Sequence, residues 1–195
     1  MPPLLLFFLL VIVGTMAWGS LLAAPWVPTL SAQRKLLVDN LVIPPPNPSL
    51  SSPNDRLVER LRKEGKKSVT LYDLGCGSGS ILFEFASRYP NAKCIGYDVS
   101  LLPLFIGAMI KLRHPVRYKN VSLRFGNFFT KHFSDADVVV AFLMQKAYPK
   151  FIATLKRELK PHALVAIEAW PLPNIEPIQT INGEKLVPWY VYRGL

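Results

Sequence analysis

Five short apolar runs alternate with helical patterns between residues 69 and 169, and this alternation limits the possible folds more than any other feature of the chain. Val69 to Leu74, Lys93 to Tyr97, Val121 to Phe125, Val138 to Leu143 and Ala163 to Ala169 read as strands. The fourth, Val-Val-Val-Ala-Phe-Leu, has no polar position and predicts a strand buried on both faces, as in parallel sheets. Between them, Ile81 to Tyr89 (stopped by Pro90), Leu101 to Arg113 and Pro149 to Leu159 carry helical patterns. Strands and helices in this order build right-handed βαβ units, so the expectation is an α/β fold with a doubly wound, mostly parallel sheet. The tail departs from the pattern. Ile178 to Ile181, the turn pair Asn182-Gly183 and Leu186 to Tyr192 predict a C-terminal hairpin.

The chain is 195 residues long, 50% hydrophobic and 18% charged, enough for one ordinary domain and an appendage. Such a composition excludes disorder. Two cysteines, Cys76 and Cys94, exclude a disulfide framework and suit a reducing compartment. No Asp, Glu, Lys or Arg precedes Arg34. Leu4 to Ala24 supplies about the ~20 apolar residues that a membrane span takes, with Trp18 and Trp26 toward one end. A cleaved signal peptide would need a basic leading segment, and none exists. The expectation is therefore a retained transmembrane anchor over residues 1–28.

The net charge of +10 lies wholly beyond that segment, beginning with Arg34 and Lys35 and continuing through Arg56, Arg60, Arg62, Lys63, Lys66 and Lys67. By the positive-inside rule the body faces the cytoplasm, as a single-pass protein of a bacterial inner membrane or a mitochondrial membrane, with an anionic leaflet as partner. Zinc spacing, an RNP-like aromatic pattern and a recognition helix are all missing, so no specific nucleic-acid partner is expected. Residues 29–66 read as amphipathic helices around a Pro/Ser linker. Thr29 or Ser31 caps the first helix, which runs to about Leu41 with Leu30, Leu36, Leu37 and Leu41 on one side. The linker covers residues 44–53, and Asn54 or Asp55 restarts a helix that ends at Gly65. Residues 67–195 form the ligand-binding domain.

The first strand runs into Asp73-Leu74-Gly75-Cys76-Gly77-Ser78-Gly79-Ser80, and a helix opens at once. Glycines there permit φ > 0 and close approach of a ligand at the C-terminal edge of the sheet. About twenty residues on, the second strand ends in Asp98-Val99, where a carboxylate can accept both hydroxyls of a ribose. A dinucleotide fingerprint would need glycine at position 80, which is Ser80. The acid followed by G-x-G-x-G instead resembles motif I of the class I S-adenosylmethionine-dependent methyltransferases, which points away from a nicotinamide cofactor.

That resemblance implies S-adenosyl-L-methionine as cofactor, with the loop of Gly75, Cys76, Gly77 and Gly79 around the methionine part and Asp73 near its ammonium group. It places Asn127 and Phe128, after the third strand, at adenine; many family members have Asp where this chain has Asn127. The apolar start, Ala24-Pro25-Trp26-Val27-Pro28-Thr29, Asp135-Ala136-Asp137-Val138-Val139-Val140 and Trp189-Tyr190-Val191-Tyr192 are similar to a narrower group. These are small membrane-anchored methyltransferases related to mitochondrial protein-lysine methyltransferases, which modify ATP synthase subunit c and the adenine nucleotide translocase. The Pro/Ser insertion at 44–53 departs from that group.

Methyl transfer from a sulfonium is an in-line displacement in which alignment supplies ~7–11 kcal/mol. A lysine acceptor must arrive neutral. The loop after the fourth strand, Leu143 to Tyr148, faces the expected methyl position but lacks the Asn/Asp-Pro-Pro-aromatic tetrad of DNA-type amino methyltransferases. Gln145 and Tyr148 are the candidates there for orienting the acceptor, and Trp170-Pro171 for walling its channel. His114, His132 and His162 are scattered and suit the surface, and no metal spacing exists. The helix from Leu101 to Ile110 is apolar on all sides and precedes Lys111, Arg113, Arg117 and Lys119, so its outer face is expected against the bilayer or the anchor. The reading is a membrane-anchored methyltransferase acting on lysines of a membrane protein. Two alternatives stay open: a small lipophilic acceptor such as a quinone or lipid, or a non-catalytic membrane-bound assembly factor that binds the same ligand.

Overall fold

A computed structural model describes residues 3–22, 29–41 and 69–195. Helices α1 (Pro3–Leu22) and α2 (Ser31–Asn40) precede the sheet. The body follows as β1 (Thr70–Leu74), α3 (Ser80–Arg88), β2 (Lys93–Asp98), α4 (Leu101–Arg113), β3 (Val121–Phe125), β4 (Val138–Ala141), α5 (Tyr148–Glu158), β5 (Leu164–Glu168), β6 (Gln179–Ile181) and β7 (Trp189–Arg193). The seven strands form one sheet in the order β3-β2-β1-β4-β5-β7-β6. The first five in that order are parallel, and β7 runs antiparallel to both β5 and β6. The expected mostly parallel sheet and C-terminal hairpin are thus present. The hairpin is joined by residues 182–188, so Asn182-Gly183 opens a long loop instead of closing a two-residue turn.

Strands β1, β4 and β5 are buried along their whole length, which accounts for their mostly apolar sequences, with Asp73 and Glu168 as the buried acids among them. Two cores result. One face of the sheet packs Leu71, Val140 and Ala166 with Ile81, Leu82 and Phe85 of α3 and Leu37 and Val38 of α2. The other packs Tyr72, Val139 and Ile167 with Tyr148, Phe151 and Leu155 of α5. The order of strand addition reverses between β1 and β4, where crossovers leave on opposite sides, and doubly wound sheets bind ligands in the crevice this creates.

Helix α2 belongs to the body. Its Leu37 and Leu41 are buried, the Gln33 side chain donates to the Val187 carbonyl, and the buried Trp189 indole donates to the Gln33 carbonyl at 3.3 Å. Its cap differs from expectation: the N-cap is Leu30, with no side-chain cap bond, and Leu30 itself is exposed. Helix α1 forms where the anchor is expected, but its side chains are described only through Thr15 and at Ala17. Among the described residues no helix is long and apolar enough to cross a membrane. The expected transmembrane helix is corrected to that extent, because the described apolar side chains fall short of the ~20 residues a span takes. Its far end, Ala23 and Ala24, lies outside the described residues, as do the Pro/Ser linker and the helix expected from Asn54 to Gly65.

Helix α1 lies against α4, with the Leu101 amide donating to Thr15 Oγ1 at 3.4 Å. One of the two expected neighbours of α4 is thereby found. Phe105 and Leu112 nonetheless remain 63% and 67% exposed.

Candidate active site

At the C-terminal edge of β1 the chain makes three left-handed turns within five residues. Gly75, Gly77 and Gly79 have φ of 91°, 53° and 77°. A side chain at Gly79 would be strained by that φ and would also meet Leu123 Cδ2 at 2.6 Å. At Gly75 the corresponding position faces open space, leaving bare backbone toward the crevice. The loop is fastened to β2 by amides of Gly75 and Cys76, both donating to the Tyr97 carbonyl at 2.9 and 3.1 Å. Cys76 is buried against Gly96, so it serves the loop through backbone and packing.

Asp98 closes the arrangement from the end of β2. Its Oδ2 accepts from the Gly77 amide and its Oδ1 from the Ser100 amide, each at 2.7 Å. A carboxylate has about four lone-pair positions, so two protein donors leave room for two ribose hydroxyls. Val99 follows, half-buried, and the Asp98 carbonyl accepts from the Gly126 amide at 2.8 Å, which fixes the start of the β3 loop. Asn127 caps a single 3₁₀ turn, Phe128–Thr130, its Oδ1 accepting from the Phe129 amide at 3.0 Å. One lone pair of that oxygen is therefore taken by the turn. Phe128 is buried against Phe129 and Phe151 in the core that α5 covers.

Asp73 is 4% exposed. Burial, and then the negative charges of Asp98 and Glu168, raise its carboxyl from the ordinary range to about 8. A buried acid so placed is short of a cation, and an ammonium or sulfonium group arriving in the crevice would restore its charged form. The bare Gly75 backbone and this acid fit S-adenosylmethionine. Asp73, Gly75, Gly77 and Asp98 would hold it.

The acceptor side differs from expectation. Gln145 is exposed in a 3₁₀ turn, Gln145–Ala147. Tyr148 is buried, and its hydroxyl donates to the Trp170 carbonyl at 2.8 Å, its ionisation pushed up to about 12 by burial. It holds the segment after β5 in place, which commits the hydroxyl proton and leaves its oxygen able to accept. Trp170 itself is 41% exposed and stacks on Phe142 with centroids 6.0 Å apart. Between β5 and Trp170 stands Ala169 with φ of 75°, a conformation that alanine rarely adopts.

Glu168, which sequence reasoning passed over, ends β5 at 6% exposure. Its Oε2 accepts from Thr29 Oγ1 at 3.4 Å, and burial raises its carboxyl to about 7. The available signal was a lone acid closing an otherwise apolar strand at the edge where ligands bind.

Comparison with known proteins agrees with this geometry. The family described as "ANTKMT methyltransferase domain" matches residues 73–179, from the buried acid of β1 to the start of β6. A curated protein-lysine N-methyltransferase of Saccharolobus islandicus is 28% identical over 132 residues, 67% of this chain and 81% of that protein. The crystal structure of an RNA methyltransferase from Salinibacter ruber, in complex with S-adenosyl-L-homocysteine, superposes with a TM-score of 0.60 at 22% identity. It covers 78% of this chain and 94% of that one, and shows the shared fold. TrmN from Thermus thermophilus gives a TM-score of 0.53 at 18% identity over 71% of this chain and 48% of its own.

Proposed function

Since the chain belongs to the ANTKMT methyltransferase domain family and is an S-adenosylmethionine-dependent methyltransferase, we propose that its acceptor is a lysine of a membrane protein. The lysine reading is supported above all by the likeness to the Saccharolobus islandicus protein-lysine N-methyltransferase, which spans most of both chains. When bound, S-adenosylmethionine supplies a methyl group already activated on a sulfonium. The protein's part is to bind, orient and exclude water. The glycine loop gives the methionine end backbone contacts, Asp73 its countercharge and Asp98 the ribose contacts. Trp170 and Phe142 offer an apolar wall beside the crevice, suited to the methylene stem of a lysine.

The membrane part rests on surface chemistry. Leu4 to Leu10 of α1 are exposed and uncharged, and α4 beside them presents Phe105 and Leu112. Lys111, Arg113, Arg117 and Lys119 follow on the same element and the turn after it. Apolar side chains rimmed by cations suit an anionic leaflet, where each cation contributes ~1 kcal/mol. In this reading the body lies on the cytoplasmic side, and α1 concentrates the enzyme near its substrate.

The test uses radiolabelled donor, native membranes and detergent-solubilised full chain, followed by separation of protein from lipid and acid hydrolysis of the protein. Methyl-lysine is expected. Label in the lipid fraction would favour a lipophilic acceptor instead. Removing residues 1–28 should leave donor affinity within about twofold and lower methylation of membranes by at least tenfold, as loss of tethering predicts. Equal activity of both forms on membranes would refute the tether.

A further inference from the structure

The three acids of the crevice, Asp98, Asp73 and Glu168, lie at the ends of β2, β1 and β5. Asp98 and Asp73 have work on the donor. Glu168 stands beyond them, with β4 between β1 and β5, so two strand spacings or roughly 10 Å separate its strand from that of Asp73. Register puts it on the same face: Asp73 pairs with Val140 and Val140 with Ala166, and Glu168 is two residues further along β5 toward the crevice. A donor seated over β2 and β1 leaves the ends of β4 and β5 to the acceptor. There Phe142 and Trp170 stack, and Ala169 with its positive φ turns the chain immediately after the carboxylate.

Of the two carboxylate oxygens of Glu168, Oε2 takes the long contact from Thr29, and Oε1 receives no hydrogen bond from the described residues. The Thr29 carbonyl is in turn held by the Arg34 guanidinium of α2. Asp73, Cys76 and, beyond them, Asp98 are acids on this face, and the Arg34 cation of α2 bonds the Thr29 carbonyl and not Glu168. None of the three acids can neutralise Glu168. A buried carboxylate with one long hydrogen bond and no cation bonded to it among the described residues is costly to keep unless something that enters the site uses it.

We infer that Glu168 is the group that accepts the proton of the incoming lysine ammonium, with Thr29 holding it in position. The inference rests on the lysine reading above. The ammonium gives one proton to Oε1, leaving a neutral amine. Its nitrogen lone pair forms the new N–C bond to the methyl group while the C–S bond breaks, and that electron pair stays on sulfur. The product leaves as a methylammonium with S-adenosylhomocysteine, and Glu168 then gives its proton to water. A carboxyl raised toward neutrality is matched to this exchange better than an ordinary glutamate.

Glu168→Gln, Glu168→Asp and Thr29→Val in the full chain test it, with native membranes as acceptor and methyl-lysine as product. Glu168→Gln should lower the rate at pH 7 by about 100-fold while the donor dissociation constant, by calorimetry, stays within about twofold. The deficit should shrink toward pH 10, where lysine loses its own proton. Glu168→Asp should recover part of the rate. Thr29→Val removes the bond that favours the charged carboxylate, so its pH–rate profile should move to higher pH. Full activity of Glu168→Gln with unchanged pH dependence would overturn the inference and leave the lysine reading intact. Should Glu168→Gln fail to bind donor, unaltered pH profiles in both other variants would overturn it equally. Wild-type protein that labels membranes without forming methyl-lysine would remove the lysine reading, and the inference with it.

Discussion

The donor end and the acceptor end of the sheet edge are built on different principles. At β1 and β2 the site is built of backbone: three left-handed glycines, two amides on the Tyr97 carbonyl and a carboxylate that fastens the loop. At β4 and β5 it relies on side chains brought from afar. Glu168 meets Thr29 across 139 residues of sequence, and Trp170 is fixed by the hydroxyl of Tyr148 and by the ring of Phe142. Backbone recognition depends on a few consecutive residues and tolerates little change. Recognition by assembled side chains can be retuned at single positions, which suits the half of the enzyme that chooses a substrate.

The contrast can be broken first at Asp98. Asp98→Ala removes the partner of the Gly77 and Ser100 amides together with the ribose acceptor, each charge-assisted bond being worth ~1.5–3 kcal/mol. Donor affinity should fall by about 100-fold in calorimetry, and a loss below threefold would mean that the loop holds its ligand without this clamp.

A second measurement concerns Asp73 and its carboxyl near 8. A cationic donor binds the charged form, so affinity should rise on the order of tenfold from pH 6.5 to 8.5, with proton release on binding. Asp73→Asn should flatten that rise. The sign for stability is opposite. Asp73 and Glu168 both titrate above the ordinary carboxyl range in the folded state, so their contribution is complete below about pH 4 and is lost as pH rises through about 7 and 8. The ligand-free protein should accordingly melt at lower temperature at pH 8.5 than at pH 6, and a bound donor should narrow the gap.

Smaller effects separate the ends further. Trp170→Ala loses a stacked pair worth ~0.5–1.5 kcal/mol, so the acceptor KM should rise by about fivefold with donor binding unchanged. Gln33→Ala removes the bond from α2 to the Val187 carbonyl and should cost about 1 kcal/mol, or about 2–4 °C in Tm, with donor affinity unaltered.

What could be read from the sequence follows the same division. Val138 to Ala141 reads as a buried strand because no residue in it is polar, and the motif from Asp73 to Gly79 reads as a ligand loop because acid, glycines and helix start lie within eight residues. The parallel sheet follows from the alternation of strands and helices, and the terminal hairpin from the break in it. The acceptor side gave no such signal. Tyr148 looked free because its partner is a main-chain carbonyl 22 residues away, and Glu168 looked like the end of a strand because Thr29 sits before α2. Asn127 caps a turn too short for any periodicity to reveal. Contacts closed over long separations leave little trace in local pattern.

Gly107, in the middle of α4, has no room for a side chain: a Cβ there would lie 2.4 Å from the Ser78 carbonyl oxygen. The helix therefore meets the donor loop main chain to main chain, beside the Leu123 side chain. The same helix bears the exposed Phe105 and Leu112 and lies against α1. A displacement at the outer surface of α4 thus bears directly on Ser78, between Gly77 and Gly79 of the donor loop. The enzyme's outward face and its cofactor floor are two sides of one rigid wall.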